Sequence, residues 1–174
     1  MTIRLVIADD HEIFRKGLSS LFKNQLGFEV IGEAGDGDEV LNVLSKHEPE
    51  ILLLDISMPK VNGLSAVPEI KKRFPKVKII LLTMHEEPPF LNKALALGAN
   101  GYVLKTTGEE ELFKAIRRVQ QGETAVDPFL AGEALRLTLA GPVLKKRKIE
   151  DSGISLSDRE VEVLKYVAKG YTDK

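Results

Sequence analysis

Short, mostly apolar runs alternate along the chain with segments whose apolar residues recur at wider spacing. Residues 5–8, 30–31, 51–54, 77–82 and 102–104 are the short runs, each bounded by turn or charged residues, and each predicts a strand. Ile51-Leu52-Leu53-Leu54 and Ile79-Ile80-Leu81-Leu82 are apolar at every position, the pattern of parallel strands covered by helices on both faces. A half-exposed sheet would alternate instead. Between the runs, Phe14/Leu18/Leu21/Phe22, Val40/Leu41/Leu44, Leu64/Val67/Ile70/Phe74, Phe90/Leu91/Leu95 and Leu112/Phe113/Ile116/Val119 recur at helical spacing. The pattern predicts five consecutive strand–helix units.

Right-handed crossovers between such units favour an α/β fold with a doubly wound, five-stranded parallel sheet in the flavodoxin-like order 2-1-3-4-5. In that order the ligand site lies at the carboxyl edge beside strands 1 and 3, where the winding reverses. Thr107-x-x-Glu110 predicts a capping box for the fifth helix and Gly122 its end, so a first domain is expected over residues 1–122. Residues 123–153 read as a helical and basic linker. Within it, Pro128–Leu139 is apolar on more than one side and suits packing on a neighbouring surface, whereas Gly141-Pro142 and Lys145-Lys146-Arg147-Lys148 read as exposed chain. Ser157 and Glu160 form a second capping box ahead of Val161, Leu164, Val167 and Ala168, which sets a third segment at residues 154–174.

Composition narrows the function. The chain has 174 residues, 43% of them hydrophobic, enough for one full domain and something smaller. Lys and Arg total 25 against 26 Asp and Glu, so no global charge excess draws the protein to nucleic acid or to an anionic membrane. The absence of cysteine excludes disulfides and thiolate metal sites. No apolar run approaches the roughly 18 residues needed to span a bilayer, and the charged start does not resemble a signal peptide. These features predict a cytoplasmic protein with no membrane partner.

The candidate chemistry sits at the strand ends. Asp9 and Asp10 follow strand 1, Asp55 follows strand 3, Thr83 strand 4 and Lys105 strand 5, so all five project at one sheet edge. Singly, each is more often a turn, a cap or a solvated charge. Jointly, three converging carboxylates repel and raise one pKa unless a cation lies between them. Lys105 supplies one positive charge, and a hard divalent ion bound through oxygen, Mg²⁺ or Mn²⁺, supplies the rest. His11 lies next to the acidic pair but reads as a surface or capping residue and is set outside the site.

Asp9-Asp10, Asp55-Ile56-Ser57-Met58-Pro59 with Asn62-Gly63, Thr83, and Tyr102-Val103-Leu104-Lys105 make residues 3 to 121 resemble the response-regulator receiver family. The resemblance implies that Asp55 accepts a phosphoryl group from a sensor histidine kinase, and that Asp10, Asp55 and the Ser57 backbone carbonyl bind Mg²⁺, with Asp9 assisting directly or through water. It also implies that Thr83 and Lys105 contact the phosphoryl group, that Thr83 and Tyr102 form the switch, and that phosphorylation promotes a homodimer. Two departures from the commoner pattern stand out. Met84 follows Thr83 where a small residue is usual, and is expected to shield the phosphoryl group. Thr106 follows Lys105 where proline is usual, which leaves the geometry of that peptide bond open.

Leu156-Ser157-x-Arg159-Glu160 through Gly170-Tyr171-Thr172 is similar to the opening of the helix-turn-helix domain in NarL/FixJ-type transcription regulators. The recognition helix of such a domain lies further along, and residues 123–174 hold nine basic and nine acidic side chains. The expectation is a truncated helix-turn-helix with no DNA-binding residues in this chain and a DNA-binding parent. Three rival readings are weaker. A haloacid-dehalogenase-type phosphatase would carry a carboxylate where Ser57 stands, and without it turnover of an external substrate is not expected. A flavodoxin-like cofactor binder would carry a phosphate loop where Asp9-Asp10-His11-Glu12 stands. A receiver-type interaction module working without phosphorylation would not need the full acidic, hydroxyl and lysine set.

Overall fold

The computed structural model describes residues 2–139. Its elements run β1 (Ile3–Ala8), α1 (Glu12–Lys23), β2 (Phe28–Ala34), α2 (Gly37–His47), β3 (Ile51–Asp55), α3 (Gly63–Arg73), β4 (Lys78–Thr83), α4 (Pro88–Ala96), β5 (Gly101–Leu104), α5 (Glu109–Gln120), β6 (Ala125–Val126) and α6 (Pro128–Leu139). All strand pairs are parallel, in the order β2-β1-β3-β4-β5-β6.

The every-position apolar strands are explained by two cores, one on each face of the sheet. Strand side chains alternate between faces. Leu52 and Leu54 of β3 join Val6, Ile79, Leu81 and Tyr102 in the core beneath α2, α3 and α4. Ile51 and Leu53 join Leu5, Ile7, Ile80 and Val103 beneath α1 and α5, where Phe22, Phe28 and Phe113 pack ring against ring with centroids 5.3 to 5.7 Å apart. Helix starts follow local chemistry. The Asp36 carboxylate accepts the amides of Asp38 and Glu39 to open α2, and the Asn62 side chain accepts that of Leu64 to open α3.

Two local expectations change, and the peptide bond left open by the sequence is defined. The sheet continues past Gly122 into the two-residue strand β6, too short to show a period in the sequence. Ala125 donates to the Asn100 carbonyl at 3.1 Å and Asp127 to the Tyr102 carbonyl at 2.9 Å. The capping box at Thr107 and Glu110 does not form: Gly108 holds the capping position in extended backbone, and the Thr107 hydroxyl turns to the Asp127 carboxylate at 2.5 Å, a stronger charge-assisted partner than an amide. The Lys105–Thr106 bond is trans. Gly122 does follow α5 in left-handed backbone, at φ 94°, as a helix-ending glycine should.

The helix expected at Pro128–Leu139 is present over those residues as α6, and it lies on the receiver-like core, beside α4, with Leu130 and Ala134 buried. The basic run at 145–148, the capping box of Ser157 and Glu160 and the helix-turn-helix segment lie outside the described residues. Among the described residues no helix is long and apolar enough to cross a membrane.

Leu130 is fully buried, so Leu130→Ala is expected to cost about 2–5 kcal/mol, the loss typical of a buried leucine. Urea denaturation against exposed Leu137→Ala checks this. Equal losses for the two would show that α6 is no part of the core.

Candidate functional site

Parallel strands deliver their carboxyl ends to one edge, and the chain there changes from apolar to charged. β1 leads into Asp9 and Asp10, β3 ends on Asp55, β4 ends on Thr83 and β5 leads into Lys105. Because β2 lies on one side of β1 and β3 on the other, the connections leaving β1 and β3 splay apart and open a crevice between them.

Asp9 is fully buried and Asp55 is 1% exposed, whereas the Asp10 side chain retains 28%. Lys105, itself 9% exposed, brings its ammonium within 2.8 Å of both Asp9 Oδ2 and Asp55 Oδ2. Its other side faces the Phe14 ring, whose centroid is 5.0 Å away. The Lys105 contacts are ion pairs approached obliquely, so Asp9 Oδ2 and Asp55 Oδ2, together with Asp10 Oδ1, remain buried oxygens with no well-directed hydrogen bond. Burial pushes the Asp55 carboxyl above the usual carboxylate range, with the Asp9 charge adding to it; Lys105 and the Ser57 amide, 3.2 Å from Asp55 Oδ1, oppose the shift. For Lys105 burial works to lower the pKa, but the contacts with Asp55 and Asp9 outweigh it and hold the ammonium above its ordinary value.

This arrangement fits a divalent cation. Asp9, Asp10, His11 and Asp55 offer ligand atoms within 4.8 Å of one another. Three carboxylates against one lysine leave negative charge uncompensated, and carboxylate donors select a hard ion such as Mg²⁺.

His11 is the surface and capping residue expected from the sequence, the N-cap of α1 with its side chain 66% exposed, and it also lies beside the cluster. Its amide donates to Asp9 Oδ1 at 2.8 Å, and this tight turn brings Nδ1 to 3.2 Å from Asp9 Oδ1, 3.1 Å from Asp10 Oδ1 and 4.0 Å from Asp55 Oδ2. Arg15 escaped sequence reasoning. One turn into α1, it donates from Nη1 to the Asp9 carbonyl at 2.5 Å and pairs through Nε with Glu33 of β2 at 3.2 Å, fixing the end of β1. Gly63 matters for space: a Cβ there would stand 1.9 Å from the Asp55 carbonyl oxygen, so only glycine lets α3 start against the β3 terminus.

The remaining residues flank the cluster. Thr83 is fully buried, and its Oγ1 accepts the His85 amide at 2.9 Å. Tyr102 is also fully buried, its hydroxyl donating to the His85 carbonyl at 3.2 Å, and burial pushes its pKa up to about 12. Ser57 is exposed, and Met84 is 64% exposed.

The family described as response regulator receiver domain matches residues 5–117. The oxygen regulatory protein NreC of Staphylococcus carnosus is 36% identical over 173 residues, covering 99% of this chain and 80% of its own length. NreC of Staphylococcus epidermidis is 38% identical, with the same coverage. Among solved structures, a LuxR-family two-component response regulator from Aurantimonas sp. SI85-9A1 superimposes with a TM-score of 0.76 at 32% identity, over 80% of this chain and 99% of that one. The isolated receiver domain of RcsB from Salmonella enterica serovar Typhimurium, solved with the phosphomimetic BeF3-, gives 0.70 at 31% identity, over 76% and 98%.

The charge imbalance has measurable consequences in chelator at neutral pH. Lys105→Met should destabilise the fold by about 3–5 kcal/mol, as when a buried ion pair loses one member. Asp55→Asn should stabilise it. A carboxyl with a raised folded pKa favours the folded state while protonated, and that contribution is lost as pH rises through the raised value. The gain from Asp55→Asn should therefore shrink in acid. Urea midpoints across pH check both, and a Lys105→Met variant as stable as the parent would contradict the scheme.

Proposed function

We propose, because this chain belongs to the response regulator receiver family and carries the receiver domain of a LuxR-type response regulator, that Asp55 is the residue that accepts the phosphoryl group. The observation that carries this reading is the Lys105 ammonium lying 2.8 Å from both Asp9 and Asp55 beside buried carboxylate oxygens left without directed partners. A carboxylate at the centre of such a cluster is where added phosphoryl charge meets preorganised positive charge.

In the proposed reaction an Asp55 carboxylate oxygen forms a bond to phosphorus as the bond from phosphorus to the donor nitrogen of a kinase phosphohistidine breaks. The electron pair leaves with the imidazole. Asp10, Asp55 and the Ser57 carbonyl would hold Mg²⁺, with Asp9 assisting; bound there, the ion neutralises charge on the phosphoryl oxygens. Lys105 holds a proton throughout and neutralises a further oxygen. Thr83 lends its hydroxyl proton to the phosphoryl group, and Tyr102, already buried behind it, completes the switch.

Ser57 stands where a phosphatase of the dehalogenase type needs a carboxylic acid, so the site suits one acceptance event rather than turnover. The receiver reading carries with it a histidine kinase partner, a cytoplasmic setting and dimerisation on phosphorylation. It also assigns residues 1–122 to the receiver, 123–153 to a linker and 154–174 to the start of a helix-turn-helix. β6 and the buried side of α6 extend the receiver's packing into that linker.

Incubation with Mg²⁺ and acetyl phosphate is expected to add one phosphoryl group to the parent, none to Asp55→Asn and none in chelator, read by intact mass. Labelling of Asp55→Asn equal to the parent would remove Asp55 from its role. In the same assay Met84→Ala should shorten the lifetime of the phosphorylated form, since the exposed thioether chain next to Thr83 is the proposed shield; an unchanged lifetime would remove that role.

A further inference from the structure

Four polar or charged residues are buried among the described ones, and three of them, Asp9, Asp55 and Thr83, belong to the site. The fourth is Asp127, between β6 and α6, which the phosphoryl chemistry does not use. It joins three elements. Asp127 Oδ2 accepts the Thr107 hydroxyl at 2.5 Å, Oδ1 accepts the Phe129 amide at 3.0 Å in the first turn of α6, and the Asp127 amide donates to the Tyr102 carbonyl on β5 at 2.9 Å. Its carbonyl accepts the Ala131 amide at 2.9 Å, the next bond of α6.

Thr107 stands two residues after Lys105 in a tight turn. The Lys105 amide donates to the Thr83 carbonyl at 2.8 Å and the Thr107 amide to the Leu104 carbonyl at 3.0 Å. The backbone that positions the Lys105 ammonium is thus one side chain away from the carboxylate that opens α6. We propose that Asp127 is a positioning residue coupling the Lys105 turn to α6, so that the phosphorylation state of Asp55 reaches α6 through the Thr107–Asp127 hydrogen bond. The proposal rests on the reading of Asp55 as the phosphoryl acceptor.

Lys105 is now drawn between Asp9 and Asp55. A phosphoryl group on Asp55 moves the negative oxygens outward from the carboxylate, and the ammonium follows them with its turn. Asp127 is 7% exposed, so little water is available to replace a bond it loses. It cannot follow Thr107 without loosening its hold on Phe129 or Tyr102. Displacement of the turn therefore either breaks the Thr107–Asp127 bond or carries the first turn of α6 with it.

Amide hydrogen exchange at Phe129 and Ala131, with and without Mg²⁺ and acetyl phosphate, tests this, with phosphoryl occupancy measured by intact mass in the same samples. In the parent, exchange should differ between the two states by roughly tenfold, the scale of one hydrogen bond. Thr107→Val, which keeps the side-chain shape and removes the hydroxyl, should abolish that difference, and Thr107→Ser should restore it. A merely structural bond would speed exchange equally in both states and leave the difference intact. Persistence of the difference in Thr107→Val, or a phosphorylated parent whose α6 exchange does not change, overturns the coupling and spares Asp55. A parent that gains no phosphoryl group overturns both.

Discussion

Two carboxylates buried at one sheet edge repel each other unless a cation joins them, and Lys105 is the cation that allows Asp9 and Asp55 to sit side by side. Much of the surrounding structure serves that meeting. The Thr83 carbonyl accepts the Lys105 amide, Phe14 faces the Lys105 ammonium, and Arg15 holds the carbonyl of Asp9. Gly63 lets α3 begin against Asp55 without displacing it. One lysine does not balance three carboxylates, however, so the edge retains a deficit of positive charge. A divalent ion is favoured by that deficit, and on the proposed reading the ion together with Lys105 would offer a place where a dianionic phosphoryl group is stabilised. Stability of the fold and affinity for ligand are opposed here, as is usual where a site is built from charge.

The sheet and the acidic edge were legible in the sequence for a common reason. Parallel strands need apolar residues on both faces, so Ile51-Leu52-Leu53-Leu54 shows itself without any alternation, and the charged residue that follows the β1, β3 and β5 runs is at the carboxyl edge. What was not legible depends on contacts between distant parts or on elements too short to carry a period. β6 has two residues. Thr107 and Glu110 have the spacing of a capping box, yet Asp127, twenty residues on, competes for the Thr107 hydroxyl and wins because it is charged. His11 is an exposed capping histidine as the sequence suggests, but its approach to Asp10 and Asp55 comes from a backbone turn onto the Asp9 side chain, which no helical or strand period reveals. The signal available was its position: the residue directly after a paired carboxylate at a strand end stays close to both acids even with an exposed side chain.

His85 stands between Thr83 and Tyr102, the two residues of the proposed switch. Its amide occupies one lone pair of the Thr83 hydroxyl and its carbonyl receives the Tyr102 hydroxyl. A hydroxyl has one proton to give as well as lone pairs to receive, so on the proposed reading Thr83 can donate to a phosphoryl oxygen while keeping the His85 amide. If Thr83 moves to do so, the His85 peptide moves with it, and the acceptor of Tyr102 shifts. One peptide unit thus links a hydroxyl at the site to an aromatic ring in the core. The His85 ring, stacked on Phe90 of α4 with centroids 4.4 Å apart, extends the same linkage to the surface.

A bound on the strength of any such signal follows from the bonds that carry it. An N-cap carboxylate contributes on the order of 1 kcal/mol to its helix, and a single hydrogen bond about as much. Coupling through Thr107 and Asp127 can therefore bias α6 by roughly tenfold, whereas carrying a two-state equilibrium from one side to the other takes about 5.5 kcal/mol of differential interaction. The α6 route is too weak to act as a complete switch by itself. It becomes effective when the bias is added to a second, larger contact that prefers the same state, such as the association of two phosphorylated receivers, in which each protomer contributes its own increment. On the proposed reading a small intramolecular coupling and a dimer interface would be complementary parts of one response: the first would select the conformation, and the second would supply most of the free energy that holds it.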